Sequence, residues 1–162
     1  MKILSLNLLL FVALLSQAQT SPLSVFDNLI GNSWVSEGTQ LGGFEGKTVY
    51  QVESGLEGKI IKVTTYATDP TTKEFGLRNE GIRAYDATEK VVKFYEFDKL
   101  GGITVGNVVV DGRNMHFEYV YQGMRLRDSW IYEANNQYQF IVGIWENDAW
   151  KKKFHETRLV RN

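Results

Sequence analysis

The sequence predicts an all-β fold, an antiparallel up-and-down barrel of about ten strands in one domain. Three observations carry this. Large apolar and polar residues alternate at period two, most clearly through 111–145, which reads as hairpins in series. Turn signals recur at short, regular spacing, and no helical period appears after Gly31. Aromatics make up 13% of the chain, and 15 glycines stand against two prolines, a balance that suits strands and tight turns.

The first 18 residues are set apart from the fold. Lys2 gives a positive start, 3–15 is apolar, and Ser16 and Ala18 put small residues at −3 and −1 of a cleavage point. This is the layout of a secretory signal peptide, too short and wrongly flanked to span a bilayer. The expected mature chain, 19–162, is exported to the periplasm or the extracellular space. Cleavage removes one of 18 basic residues and none of 19 acidic ones, leaving a charge of −2. Near-neutrality offers no electrostatic reason for a nucleic-acid partner. The chain has no cysteine, which excludes disulfides, a thiol nucleophile and thiolate metal sites.

Ser24-Val25-Phe26-Asp27 fits a capping box. With Val25, Phe26, Leu29 and Ile30 on one face and Gly31 as C-cap, it predicts a short helix capping one end of the barrel. Strands follow from Trp34 to near Gly38, then at 47–53, 59–68, 74–85, 91–98, 103–110, 114–121, 125–133, 137–145 and 150–160. Leu41-Gly42-Gly43 is a loop, Asp69-Pro70-Thr71-Thr72 a turn with a local acceptor and a fixed φ, and Asp111-Gly112 a hairpin signal.

The hairpin around Gln122-Gly123 sets the faces. A two-residue loop pairs Tyr121 with Met124, Tyr119 with Leu126, Phe117 with Asp128 and Met115 with Trp130. The other face then pairs Glu118 with Arg127 and His116 with Ser129. A one-residue slip would exchange the faces, so this consistency supports the register. A three-residue loop at 134–136 continues it, placing Tyr132 against Tyr138, Trp130 against Phe140 and Asp128 against Val142.

The inner face therefore carries Phe117, Tyr119, Trp130, Tyr132, Tyr138 and Phe140. These residues either line a ligand cavity, together with Trp34, or fill a solid core. Asp128 is a carboxylate on that face. It either anchors a ligand's polar group, or sits hydrated at the rim, or pairs with Arg78, Arg83 or Arg158. In the last strand two registers compete; the lysines at 151 and 153 favour Phe154 inward and His155 outward.

Gly46-Lys47-Thr48 lacks the upstream glycine and following helix of a phosphate-binding loop. No nucleophile elbow, zinc-protease or calcium-loop motif occurs, and His116 and His155 lack metal-ligand spacing. No catalytic or metal residue is assigned, and the chain is read as a non-enzyme.

Leu29-Ile30-Gly31-Asn32-Ser33-Trp34 resembles the opening of lipocalin-like (calycin-type) barrels, with one more residue between glycine and tryptophan. Residues 79–86 and then Val92-Lys93-Phe94-Tyr95 resemble the centre of an uncharacterised bacterial lipocalin-like family of unknown function. Residues 150–161 resemble its closing basic strand. That resemblance implies a lipocalin- or fatty-acid-binding-protein-like barrel without established activity. His155 followed by Arg161 is similar in placement to the last-strand histidine of nitrobindin-like haem barrels, which implies haem as an alternative cofactor to none. The expected function is binding of a small lipophilic or aromatic molecule. The alternatives are haem bound through His155, or a partner-binding module presenting Trp145 and Trp150.

Overall fold

The computed structural model describes residues 21–36, 46–133 and 136–162. The signal-peptide segment, the Leu41-Gly42-Gly43 loop, the end of the first strand near Gly38 and residues 134–135 lie outside them. Ten strands form a closed antiparallel barrel: β1 (Asn32–Ser36), β2 (Thr48–Gly55), β3 (Ile60–Thr68), β4 (Phe75–Asp86), β5 (Val91–Asp98), β6 (Ile103–Asp111), β7 (Asn114–Tyr121), β8 (Met124–Glu133), β9 (Gln137–Glu146) and β10 (Ala149–Arg161). Each strand pairs with the next. Trp34 opposite Arg161, Val35 opposite Val160 and Ser36 opposite Leu159 close the ring, so no sheet edge is left open. The architecture is consistent with a calycin-like fold.

The turns follow their local chemistry. Asp69 Oδ1 accepts from the amides of Thr71 and Thr72 at 2.9 and 3.1 Å, and Lys99 Nζ reaches its other oxygen at 2.8 Å. These donors hold the Asp69 carboxyl far below the usual range. Asp86 and Asp98 play the same part, accepting from Thr88 and Glu89, and from Leu100 and Gly102.

The expected N-terminal helix is corrected to a single 3-10 turn, Ser24–Phe26. Ser24 makes no side-chain cap; Ser21 Oγ accepts from the Leu23 amide instead. So short a segment gains too few internal hydrogen bonds to hold an α-helix, and it is shaped by what it covers. Leu23, Phe26 and Leu29 are all buried in the main core. The Gly31 amide donates to the Val52 carbonyl at 2.8 Å, tying this plug to the end of the barrel where β1 begins.

The β7–β8 and β8–β9 registers are those the alternation implies, Phe117 opposite Asp128 and Trp130 opposite Phe140 among them. The inner face is the aromatic one: Met115, Phe117, Trp130, Tyr138 and Phe140 are buried. The β9–β10 hairpin differs. Register shifts occur between Trp150 and Lys152 and between Lys153 and His155, and each inserts one residue into β10. Thr157, rather than Phe154 or His155, therefore stands opposite Phe140, and His155 stands opposite inward-facing Val142. Two insertions restore the parity that one would reverse, so His155 faces inward, contrary to the expectation from the flanking lysines. Gly143 explains why the strands tolerate this: a Cβ there would collide with the Lys152 carbonyl.

Candidate functional site

The barrel encloses a cavity of about 510 Å³ that reaches from Phe26 and Leu29 of the plug to Lys47, Thr68, Asp98 and Tyr121 near the opposite strand ends. The β1–β2 connection joins the barrel at that second end, and most of it lies outside the described residues. One wall is aromatic. Tyr50 meets Trp130 edge-on with centroids 5.1 Å apart and Phe140 at 5.9 Å, and Phe94 meets Phe117 at 5.4 Å and Tyr119 at 5.9 Å.

Polar side chains from β4, β5, β7 and β8 stand among these rings. Arg83 stands opposite Phe94, which places its guanidinium on the inner face. It pairs with Glu96, which also accepts from Asn79 Nδ2. Arg83 Nε and Nη1 are buried without a partner among the described residues, and its Cζ lies 5.3 Å from the Phe117 ring centroid and 6.0 Å from that of Phe94. The pair occupies space left by Gly81, where a Cβ would meet both side chains.

Asp128 faces the same cavity. Tyr119 Oη donates to its Oδ1 at 2.9 Å, and Asp128 makes no ion pair within 4 Å among the described residues. Burial pushes its carboxyl up to about 7; the Tyr119 bond and the charges of Arg78 and Arg83 oppose that rise, and Glu96 adds to it. Burial likewise raises the hydroxyls of Tyr119 and Tyr50 above the ordinary phenol range. Of the three arginines considered as structural partners, Arg83 is engaged by Glu96 and Arg158 by Glu133. Arg78 lines the cavity as an exposed residue and forms no ion pair among the described residues.

The structure thus brings Phe117, Tyr119, Asp128, Trp130 and Phe140 together on the cavity wall, and His155 with them. The His155 ring packs edge-on against Phe140 with centroids 5.9 Å apart. Trp34 and Tyr132 are corrections: neither lines the cavity. Trp34 is buried against Trp130 and Tyr138, and Tyr132 packs on Tyr138 with the Arg113 guanidinium 3.4 Å from its ring centroid. Both lie towards the end of the barrel that the core fills, so facing inward did not suffice.

Tyr50 and Glu96 are cavity residues that the sequence does not single out, and Arg83 enters there only as one possible partner of Asp128. Their signal was parity: Glu96 lies two residues from inward Phe94, and Arg83 lies opposite it across the turn at 87–90.

On the outer surface, Glu118 and Arg127 form the expected cross-strand ion pair. His116 Nδ1 and Ser129 Oγ lie 2.7 Å apart. Trp145 and Trp150 meet edge-on at 5.1 Å, with Arg127 Cζ 4.1 Å from the Trp145 centroid, and both are half-buried rather than projecting from the hairpin tip. No helix among the described residues is long and apolar enough to cross a membrane. No group of three or more His, Asp or Glu residues placed to hold a metal occurs among them. Comparison with known protein families and with curated proteins finds no match.

Proposed function

We propose that this chain is an exported, non-enzymatic barrel of lipocalin-like type that binds a small lipophilic or aromatic molecule in its interior. The carrying observation is the cavity of about 510 Å³ walled by Tyr50, Phe117, Trp130 and Phe140. Small-molecule sites span about 300–1,000 Å³ and combine apolar walls with a few placed polar groups, as here. Export rests on the charge and hydropathy layout of residues 1–18. Native mass spectrometry of the protein from its own host, followed by denaturing extraction, tests both parts. The expected result is a mature chain starting near residue 19 that carries a bound small molecule. A protein at its apo mass with full-length residues 1–162 would count against both.

A second reading is favoured by one observation, the inward placement of His155 on the cavity wall. His155 is the residue that would hold haem, whose iron would supply ligand binding or redox chemistry. Haem titration tests this reading: a Soret band lost in His155→Ala supports it, and no band, or one unchanged in the variant, excludes it.

A further inference from the structure

The charges of the cavity are unevenly matched. Glu96 meets Arg83 directly, so each of these two charges has an opposite charge beside it. Asp128 has a hydroxyl as its partner and no cation within ion-pair distance among the described residues. It stands between Phe117 and Val142 in the barrel wall, with Trp130 two residues along its own strand and Tyr119 beside it. A carboxylate in such a place is stable only when a positive charge joins it. The faces of the surrounding rings are themselves electron-rich and attract cations.

Resting on the reading of the barrel as a small-molecule binder, we infer that its ligand is an amine-bearing aromatic molecule, with the ammonium group paired to Asp128 and the ring among Trp130, Phe117 and Tyr50. An anionic ligand is disfavoured by the same geometry. Arg83 already shares its charge with Glu96 and packs beside Phe94 and Phe117, so an anion drawn to its two unpartnered nitrogens would also face the Glu96 carboxylate. Arg78 and Lys47 are the other basic side chains of the cavity lining, and both are exposed to water, which weakens any charge pairing they make. A neutral ligand would leave Asp128 in competition with its own proton.

The titratable and charged groups around Asp128 are Tyr119 on β7, Tyr50 on β2, Arg78 and Arg83 on β4, Glu96 on β5 and His155 on β10. Burial in the cavity wall holds the Asp128 carboxyl at about 7, so an ammonium ligand displaces its proton. Affinity for the amine therefore rises with pH through that value. The rise ends where the ligand's own ammonium group begins to lose its proton, at roughly pH 10.

Calorimetric titration of the mature protein with tryptamine, tryptophol and indoleacetate at about pH 8 separates the charge classes on one ring system. The expected result is tryptamine binding at least about tenfold more tightly than tryptophol, with indoleacetate weakest. Asp128→Asn, verified as folded by circular dichroism, should bind tryptamine no better than tryptophol. Tryptophol or indoleacetate binding as tightly as tryptamine would overturn the inference and leave the cavity reading standing, as would an amine preference that survives in Asp128→Asn. Failure of all three probes to bind would overturn the inference together with the reading on which it rests.

Discussion

Tyr119 donates its hydroxyl to Asp128 across the β7–β8 pair at 2.9 Å, on a diagonal, since Tyr119 itself stands opposite Leu126 and Asp128 opposite Phe117. The bond is the direct polar contact by which the described residues stabilise the ionised carboxyl, and it is outweighed by burial.

Removing that donor should move Asp128 further from its ordinary value. In Tyr119→Phe the carboxyl loses a bond that favours its charged form, so it should titrate above about 7. Loss of the bond should also cost about 1 kcal/mol of stability in alkaline buffer, where Asp128 is ionised. Carbon-detected NMR titration of the side-chain carboxyl gives the answer. A carboxyl that titrates unchanged or lower would refute the assigned role.

Asp128 also imposes a pH dependence on folding. Its ordinary value is 3.8 and its folded value about 7, so between them the folded protein keeps a proton that the unfolded chain has released. The stability linked to the neutral carboxyl is complete below 3.8 and is lost as pH rises through about 7. The span corresponds to at most about 4 kcal/mol, less where water enters the cavity. Asp128→Asn has no such proton to lose, so relative to the wild type it should gain stability from acid to neutral pH. Urea midpoints of the two proteins across that range should diverge; parallel curves would show a carboxyl that titrates normally.

Trp34 carries stability rather than ligand contact. Its ring is almost fully buried and packs edge-on against Trp130 and Tyr138. Trp34→Ala should cost about 3–5 kcal/mol in denaturant unfolding. The milder Trp34→Phe should lower stability while leaving the affinity of a cavity probe nearly unchanged. A probe affinity that falls tenfold or so in Trp34→Phe would place this residue at the ligand after all.

Gly143 should tolerate no side chain. A Cβ there meets the Lys152 carbonyl, a backbone atom held in the β9–β10 ladder, so the strands rather than a rotamer would have to move. Gly143→Ala should destabilise by about 1–3 kcal/mol. Because the two register shifts beside it orient His155, it should also change the chemical shifts of the His155 ring. An unaffected thermal midpoint would show that the bulge relaxes freely.

Much of the barrel was legible in one dimension because strand geometry repeats every two residues and hairpin turns constrain pairing locally. Tyr121 opposite Met124, and from it the row that puts Phe117, Tyr119, Trp130 and Phe140 inside, follows from alternation and one turn. Asp128 was visible on the same grounds as a charge on the apolar face. The N-terminal turn was misjudged because a segment of three helical residues answers to the barrel end it covers, not to its own propensity. His155 was misplaced because bulges break the alternation on which parity rests, and the signal for them was a glycine on the facing strand, not the lysines on its own.

By itself the sequence determined the strands, their order as a meander, and which face of each is apolar, since these depend on neighbours and on turns. Tertiary structure alone decided that Arg83 is taken by Glu96 while Asp128 has only Tyr119, and that Trp34 lies in packed core while Trp130 borders a cavity. Those outcomes depend on how ten strands close around one space. Closure sets distances between residues far apart in the chain, and no local period encodes them.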